Sequence, residues 1–137
     1  MKKLNILYKE DNKMLTDSVV IYINGKDYGD IKKNKVRTIE LEPGTYEVVI
    51  YSANITDIGI NGASSEQVVW EKEIILIEEN DVYYIFKAPL IMNKKGKLDK
   101  VTKENFNKIL KRNQFWTSKT VVLILIIIGL IIKFLLN

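Results

Sequence analysis

The 137-residue chain contains neither Cys nor His. That excludes disulfides and thiolate metal sites, and it removes the commonest general base and the commonest metal ligand together. Its net charge of +4 is unevenly spread, since residues 1–93 carry −4, residues 94–119 carry +7 and Lys133 supplies the rest. A nucleic-acid binder would carry its positive charge on the folded part, so this distribution points away from nucleic acid and toward a membrane surface.

In chain order, the first 92 residues read as strands. Leu4–Tyr8 is a short apolar run that predicts an edge strand. Val19–Ile23 is a β-branched run followed by Asn24-Gly25 and a second run around Tyr28–Ile31. Asn-Gly is a strong hairpin signal, because both central residues of a type I′ turn need positive φ. Ile39 and Leu41 alternate with Thr38, Glu40 and Glu42, and Pro43-Gly44 then predicts a tight turn in which Gly44 supplies positive φ. Beyond it, Tyr46, Val48 and Ile50 share one face.

Residues 52–67 collect Gly, Ser, Asn and Asp without a sustained period and read as a loop or ragged edge. Val68–Ile77 predicts a strand and residues 78–81 its turn. The run from Val82 to Leu90 predicts the last strand, which Pro89 stops or pushes to an edge. Six to eight short strands with frequent turn signals are the pattern of an antiparallel β-sandwich, Ig-like or transthyretin-like.

From Asn93 the composition changes, and residues 93–119 read as a basic juxtamembrane segment. Its first part is a solvated linker. Phe106, Ile109 and Leu110 then recur at helical spacing beside Lys108, Lys111 and Arg112, with Thr102 as the cap. That pattern predicts a basic helix whose only partner is lipid. Val121–Ile132 is an unbroken apolar run, and residues 120–136 are predicted to be a transmembrane helix with Lys133 snorkelling outward. Phe115 and Trp116 take headgroup positions at the other end. Lys108, Lys111, Arg112 and Lys119 precede the span, so positive-inside logic keeps the body in the cytosol. The expectation is a single-pass, tail-anchored protein of the cell membrane, its neck lying on anionic lipid.

Val19–Tyr51 resembles the PEGA-type and related small bacterial β-sandwich domains. The residues that carry the resemblance are Ile21, Ile23, Asn24, Gly25, Gly29, Leu41, Pro43, Gly44 and Tyr46. The Pro-Glu-Gly-Ala signature itself does not occur where Met14–Ser18 stand. The resemblance implies a sandwich used as a binding or spacer module, with no catalytic residues to carry over.

Other constellations favour plain structural explanations. Glu71, Glu73, Glu78, Glu79 and Asp81 lack the alternating ligands of a calcium loop and read as a solvated strand and its turn. Gly59–Gly62 precedes no convincing helix and makes no phosphate cradle. Tyr46, Tyr51, Trp70, Tyr83 and Tyr84 are accounted for by packing. The sequence therefore predicts a non-enzymatic binding or scaffolding module with no cofactor and no metal. Its partners would be the membrane and an unidentified protein. The alternatives are an extracytoplasmic adhesion or spacer domain and, less favoured, an enzyme acting near the membrane.

Overall fold

The computed structural model describes residues 1–9, 18–52, 55–59, 62–66, 68–89, 94–117 and 119–136, with backbone alone for those among 53–67 and 115–120. Ten strands and two helices occupy them: β1 (Lys2–Lys9), β2 (Ser18–Ile23), β3 (Lys26–Lys32), β4 (Val36–Leu41), β5 (Gly44–Ser52), β6 (Ile55–Gly59), β7 (Gly62–Glu66), β8 (Val69–Ile77), β9 (Val82–Lys87), β10 (Lys97–Val101), α1 (Lys103–Thr117) and α2 (Lys119–Leu135). The first sheet has the order β10-β9-β1-β4 and the second β3-β2-β5-β8, while β6 and β7 pair separately.

The two four-stranded sheets share one core. Leu4, Ile6, Tyr8, Tyr84, Phe86 and Leu98 from the first meet Val19, Ile21, Ile50, Trp70, Ile75 and Ile77 from the second. The alternation Val19, Ile21, Ile23 on β2 sends every second side chain inward, as a strand with one buried face requires. Val48 and Ile50 do the same on β5, and Tyr46 packs against the core from the partly buried rim. At the β2–β3 turn, Asn24 and Gly25 have φ of 48° and 75°, the pair of positive angles a type I′ turn demands.

Several sequence expectations are corrected. β1 is not an edge strand but lies between β9 and β4. It runs parallel to β9 and antiparallel to β4, so the first sheet is mixed rather than wholly antiparallel. Leu4–Tyr8 is apolar without alternation because both its faces are buried, one in the core and the other, at Leu7, beneath α1. Its single polar member, Asn5, is satisfied there: its amide donates to the Val82 carbonyl (3.4 Å) and its Oδ1 accepts from Thr38 Oγ1 (2.8 Å).

Within the stretch that reads as a loop, β6 and β7 pair antiparallel, Gly59 standing opposite Gly62. Its polar composition hides the alternation that would have marked it. β9 is not the last strand either, since β10 follows and occupies the sheet edge within the stretch expected to be a linker. Finally, Gly44 is not among the glycines with positive φ. The β4–β5 corner is held instead by Tyr46, whose hydroxyl donates to the Glu42 carbonyl at 2.7 Å.

Candidate membrane-facing site

α1 begins where the sequence places it. Thr102 Oγ1 accepts from the Asn105 backbone N–H at 3.2 Å, satisfying one of the free donors of the first turn. Glu104 adds a favourable charge near the positive end of the helix dipole.

The apolar stripe does not face lipid alone. Phe106 is 4% exposed and clusters with Leu7 and Ile85 on the outer face of the first sheet, flanked by Tyr83, Val101, Ile109 and Leu110. The Tyr83 and Phe106 rings lie 5.2 Å apart in a tilted arrangement. The basic helix is therefore part of the folded body, because the sheet's outer face offers apolar side chains to cover.

Burying that stripe fixes where the cations go. Lys108, Lys111 and Arg112 are exposed on the side of α1 away from the sheet. The side chains of Phe115, Trp116 and Lys119, also expected at the membrane surface, lie outside the described residues. Asn113 donates through Nδ2 to Asn34 Oδ1 at 3.3 Å, fastening the end of α1 to the β3–β4 turn. α2 starts just beyond that point.

α2 leaves its apolar side chains uncovered. Exposure is 57% at Val122, 58% at Leu123, 47% at Ile124 and 62% at Leu125, and Ile126–Ile128 and Leu130–Ile132 are exposed likewise. Four consecutive helical residues point in four directions about the axis, so the apolar surface runs all the way round. The expected transmembrane helix over residues 120–136 thus exists as a helix of nearly those bounds, but not with that standing. No helix among the described residues is long and apolar enough to cross a membrane. The 17 residues of α2 rise about 25 Å against a hydrocarbon thickness of about 30 Å.

One grouping was not legible in the sequence. β1 and β9 finish at the same end of the body, where β10 and β4 begin and the β3–β4 turn lies. Lys32 and Lys35 from that turn and Lys87, Lys94, Lys95 and Lys97 from the β9–β10 connection lie at this same end. Lys87 stands directly opposite both Lys9 and Lys97 across the sheet, and Lys97 pairs with Asp99 at 3.5 Å. A cleft of about 330 Å³ is lined by Lys87, Ala88, Pro89, Lys94, Lys95, Gly96 and Lys97. The opposite end mixes Glu40, Glu42, Glu78, Glu79 and Asp81 with Lys2, Lys3, Lys100 and Lys103, and Asp81 accepts from the Lys3 backbone N–H at 2.8 Å. Lysines thus predominate at one end, while at the other they are balanced by acids. The repeated Lys pairs at 32–33 and 94–95 were the available signal, but the acidic sum of the first 93 residues concealed it.

Among the described residues, two acid groups are shifted, Glu73 on β8 and Tyr84 on β9. Partial burial, then the charge of Glu71, then that of Asp99, raises the Glu73 carboxyl above its ordinary value. Burial, with a further contribution from Glu73, raises the Tyr84 phenol. Among the described residues no group of three or more acidic side chains is placed to hold a metal ion. Comparison with family models, curated proteins and solved structures finds no match to this chain.

Proposed function

We propose that this protein is a non-enzymatic, membrane-tethered binding or scaffolding module. In this reading a β-sandwich body, with α1 packed on it, is held at the inner face of the cell membrane by α2. The observation that carries it is the all-round apolar exposure of α2. A protein partner covers one stripe of a helix, whereas hydrocarbon covers every side.

The shortfall in length is met by local thinning of the bilayer and by Lys133, whose stem stays in hydrocarbon while its ammonium reaches the far headgroups. Cations on the body side of α2 (Lys108, Lys111 and Arg112) outnumber Lys133 beyond its apolar run, which favours a cytosolic body. The resemblance of Val19–Tyr51 to PEGA-type domains supports a module that binds or spaces rather than catalyses.

Fractionation of the full-length protein tests the tether. It is expected to stay with membranes through high salt and alkaline carbonate, and deletion of residues 121–137 is expected to release it. Protease added to inverted vesicles should digest the body, while protease added to intact cells should spare it. Release of the intact chain by carbonate would refute the tether. Digestion in intact cells would make the body an extracytoplasmic spacer instead.

A further inference from the structure

We propose that the lysine-bearing end of the body is itself a docking surface for anionic phospholipid headgroups, so that the body lies against the bilayer instead of hanging from it on α2. This rests on the membrane reading of α2. Its own basis is the placement of Lys32, Lys35, Lys87, Lys94, Lys95 and Lys97, which belong to the body and not to the helices.

Three observations converge. First, Lys87 and Lys97 sit directly opposite one another on β9 and β10. Like charges in that relation repel, and Asp99, which pairs with Lys97 at 3.5 Å and lines a cleft with Lys87, offsets one of the two charges. Anionic headgroups above the row would remove the remaining repulsion. Second, the acids at the other end, Glu40, Glu42, Glu78, Glu79 and Asp81, stand among Lys2, Lys3, Lys100 and Lys103, so the excess of lysines is at this end. An anionic surface therefore attracts the lysine-bearing end more than the other, which orients the body. Third, the Asn113–Asn34 bond brings α1 back to the lysine-bearing end, so α2 enters the bilayer beside these cations. The cleft at Ala88, Pro89 and Gly96, which four lysines also line, offers room for a phosphate group.

A tether of this kind changes the weight of weak contacts. Held beside the surface by α2, the body meets headgroups at high effective concentration, so contacts too weak to recruit a free protein still order a tethered one. Each cation near an anionic surface strengthens association by about fivefold and is screened by salt.

The test uses full-length protein in lipid nanodiscs, comparing zwitterionic phosphatidylcholine discs with discs containing phosphatidylglycerol. Hydrogen–deuterium exchange of the amides at Lys32–Lys35 and Lys94–Lys97 should slow by about tenfold or more in the anionic discs, and high salt should erase the difference. The variant Lys32→Gln/Lys35→Gln/Lys94→Gln/Lys95→Gln alters only exposed side chains. It should keep its thermal unfolding and its resistance to carbonate extraction while the exchange difference collapses. Equal exchange in the two disc types, or undiminished slowing in the folded variant, overturns the proposal. If the chain does not enter discs, the tether falls separately. The same comparison on neutral and anionic vesicles then decides the docking surface, salt-sensitive slowing supporting it and its absence refuting it.

Discussion

The backbone N–H of Gly96 donates to the carbonyl of Trp70 at 2.7 Å. The bond joins the approach to β10 with the start of β8, and so ties an edge of the first sheet to an edge of the second. Trp70 is fully buried and stacked on Phe86 with ring centroids 6.5 Å apart. A Cβ built on Gly96 would lie 2.6 Å from Phe86 Cε2 and 2.8 Å from the Lys87 carbonyl oxygen. Glycine is required here by the close approach of a backbone and a buried ring, and not by the turn chemistry of a solvated linker.

Gly96→Ala is accordingly expected to destabilise the body by about 1–3 kcal/mol, the usual cost of forcing extra volume into a packed site. Urea unfolding measures it. An unchanged midpoint would mean that the segment before β10 can move away from Phe86 without loss.

The same geometry governs truncation. Ending the chain after residue 93 removes β10 and α1 and uncovers Leu7, Ile85 and Phe86, which are at most 3% exposed in the whole body. That fragment is expected to aggregate or lose cooperative unfolding, whereas one ending after Thr117 should be soluble and β-rich with one helix. Circular dichroism and calorimetry of both fragments check this. Within the longer fragment, Phe106→Ala should cost about 3 kcal/mol, as the loss of a buried aromatic anchor usually does.

Local signals and long-range ones fared differently. Asn24-Gly25 announces its hairpin because the chemistry of a type I′ turn is contained in two residues. β4 and β5 are readable because one face is buried and the other is wet. β10 was missed because only Leu98 faces the core amid lysines and an aspartate, so its sequence carries too little alternation. Leu4–Tyr8 reads as an edge strand because an apolar run does not say what covers each face. That depends on α1, nearly a hundred residues later in the chain. The stripe on α1 was legible, but its partner was not, since Leu7 and Ile85 form an apolar outer surface only once β1 and β9 pair. The lysine-bearing end has the same origin, its cations being contributed by two connections that the topology brings together.

Two turn glycines should separate in their response to alanine. Gly25 has φ of 75° and a Cβ there would meet nothing within 4 Å. Gly25→Ala therefore carries a pure backbone penalty of about 1–2 kcal/mol. At Gly44 an added Cβ meets the Tyr46 ring at 3.6 Å, an ordinary contact, and φ is not positive. Gly44→Ala should be neutral or stabilise by about 0.5 kcal/mol through the less flexible unfolded chain. Chemical denaturation of the pair decides, and equal losses would show that the β4–β5 corner is strained after all.

The stability of the body should also depend on pH. Glu73 is exposed, yet slight desolvation and the charges of Glu71 and Asp99 make it ionise less readily in the folded body than its ordinary value of 4.5 implies. The folded state therefore binds more protons than the unfolded one between those two values, and stability falls as pH rises through the folded value. Below 4.5 the residue is protonated in both states and the penalty is absent. Glu73→Gln should then unfold at a higher temperature than the parent protein at neutral pH, with the advantage shrinking to nothing as the pH is lowered past the ordinary value. The substitution has a second readout. Burial is the larger cause of the raised Tyr84 phenol and the Glu73 charge the smaller, so Tyr84 should titrate at lower pH in the variant yet stay above an exposed tyrosine. Calorimetry across pH and tyrosine titration followed by NMR report the two effects separately. An advantage that persists unchanged at low pH would assign the stabilisation to packing rather than charge, and an unmoved Tyr84 would show that Glu73 does not act on it.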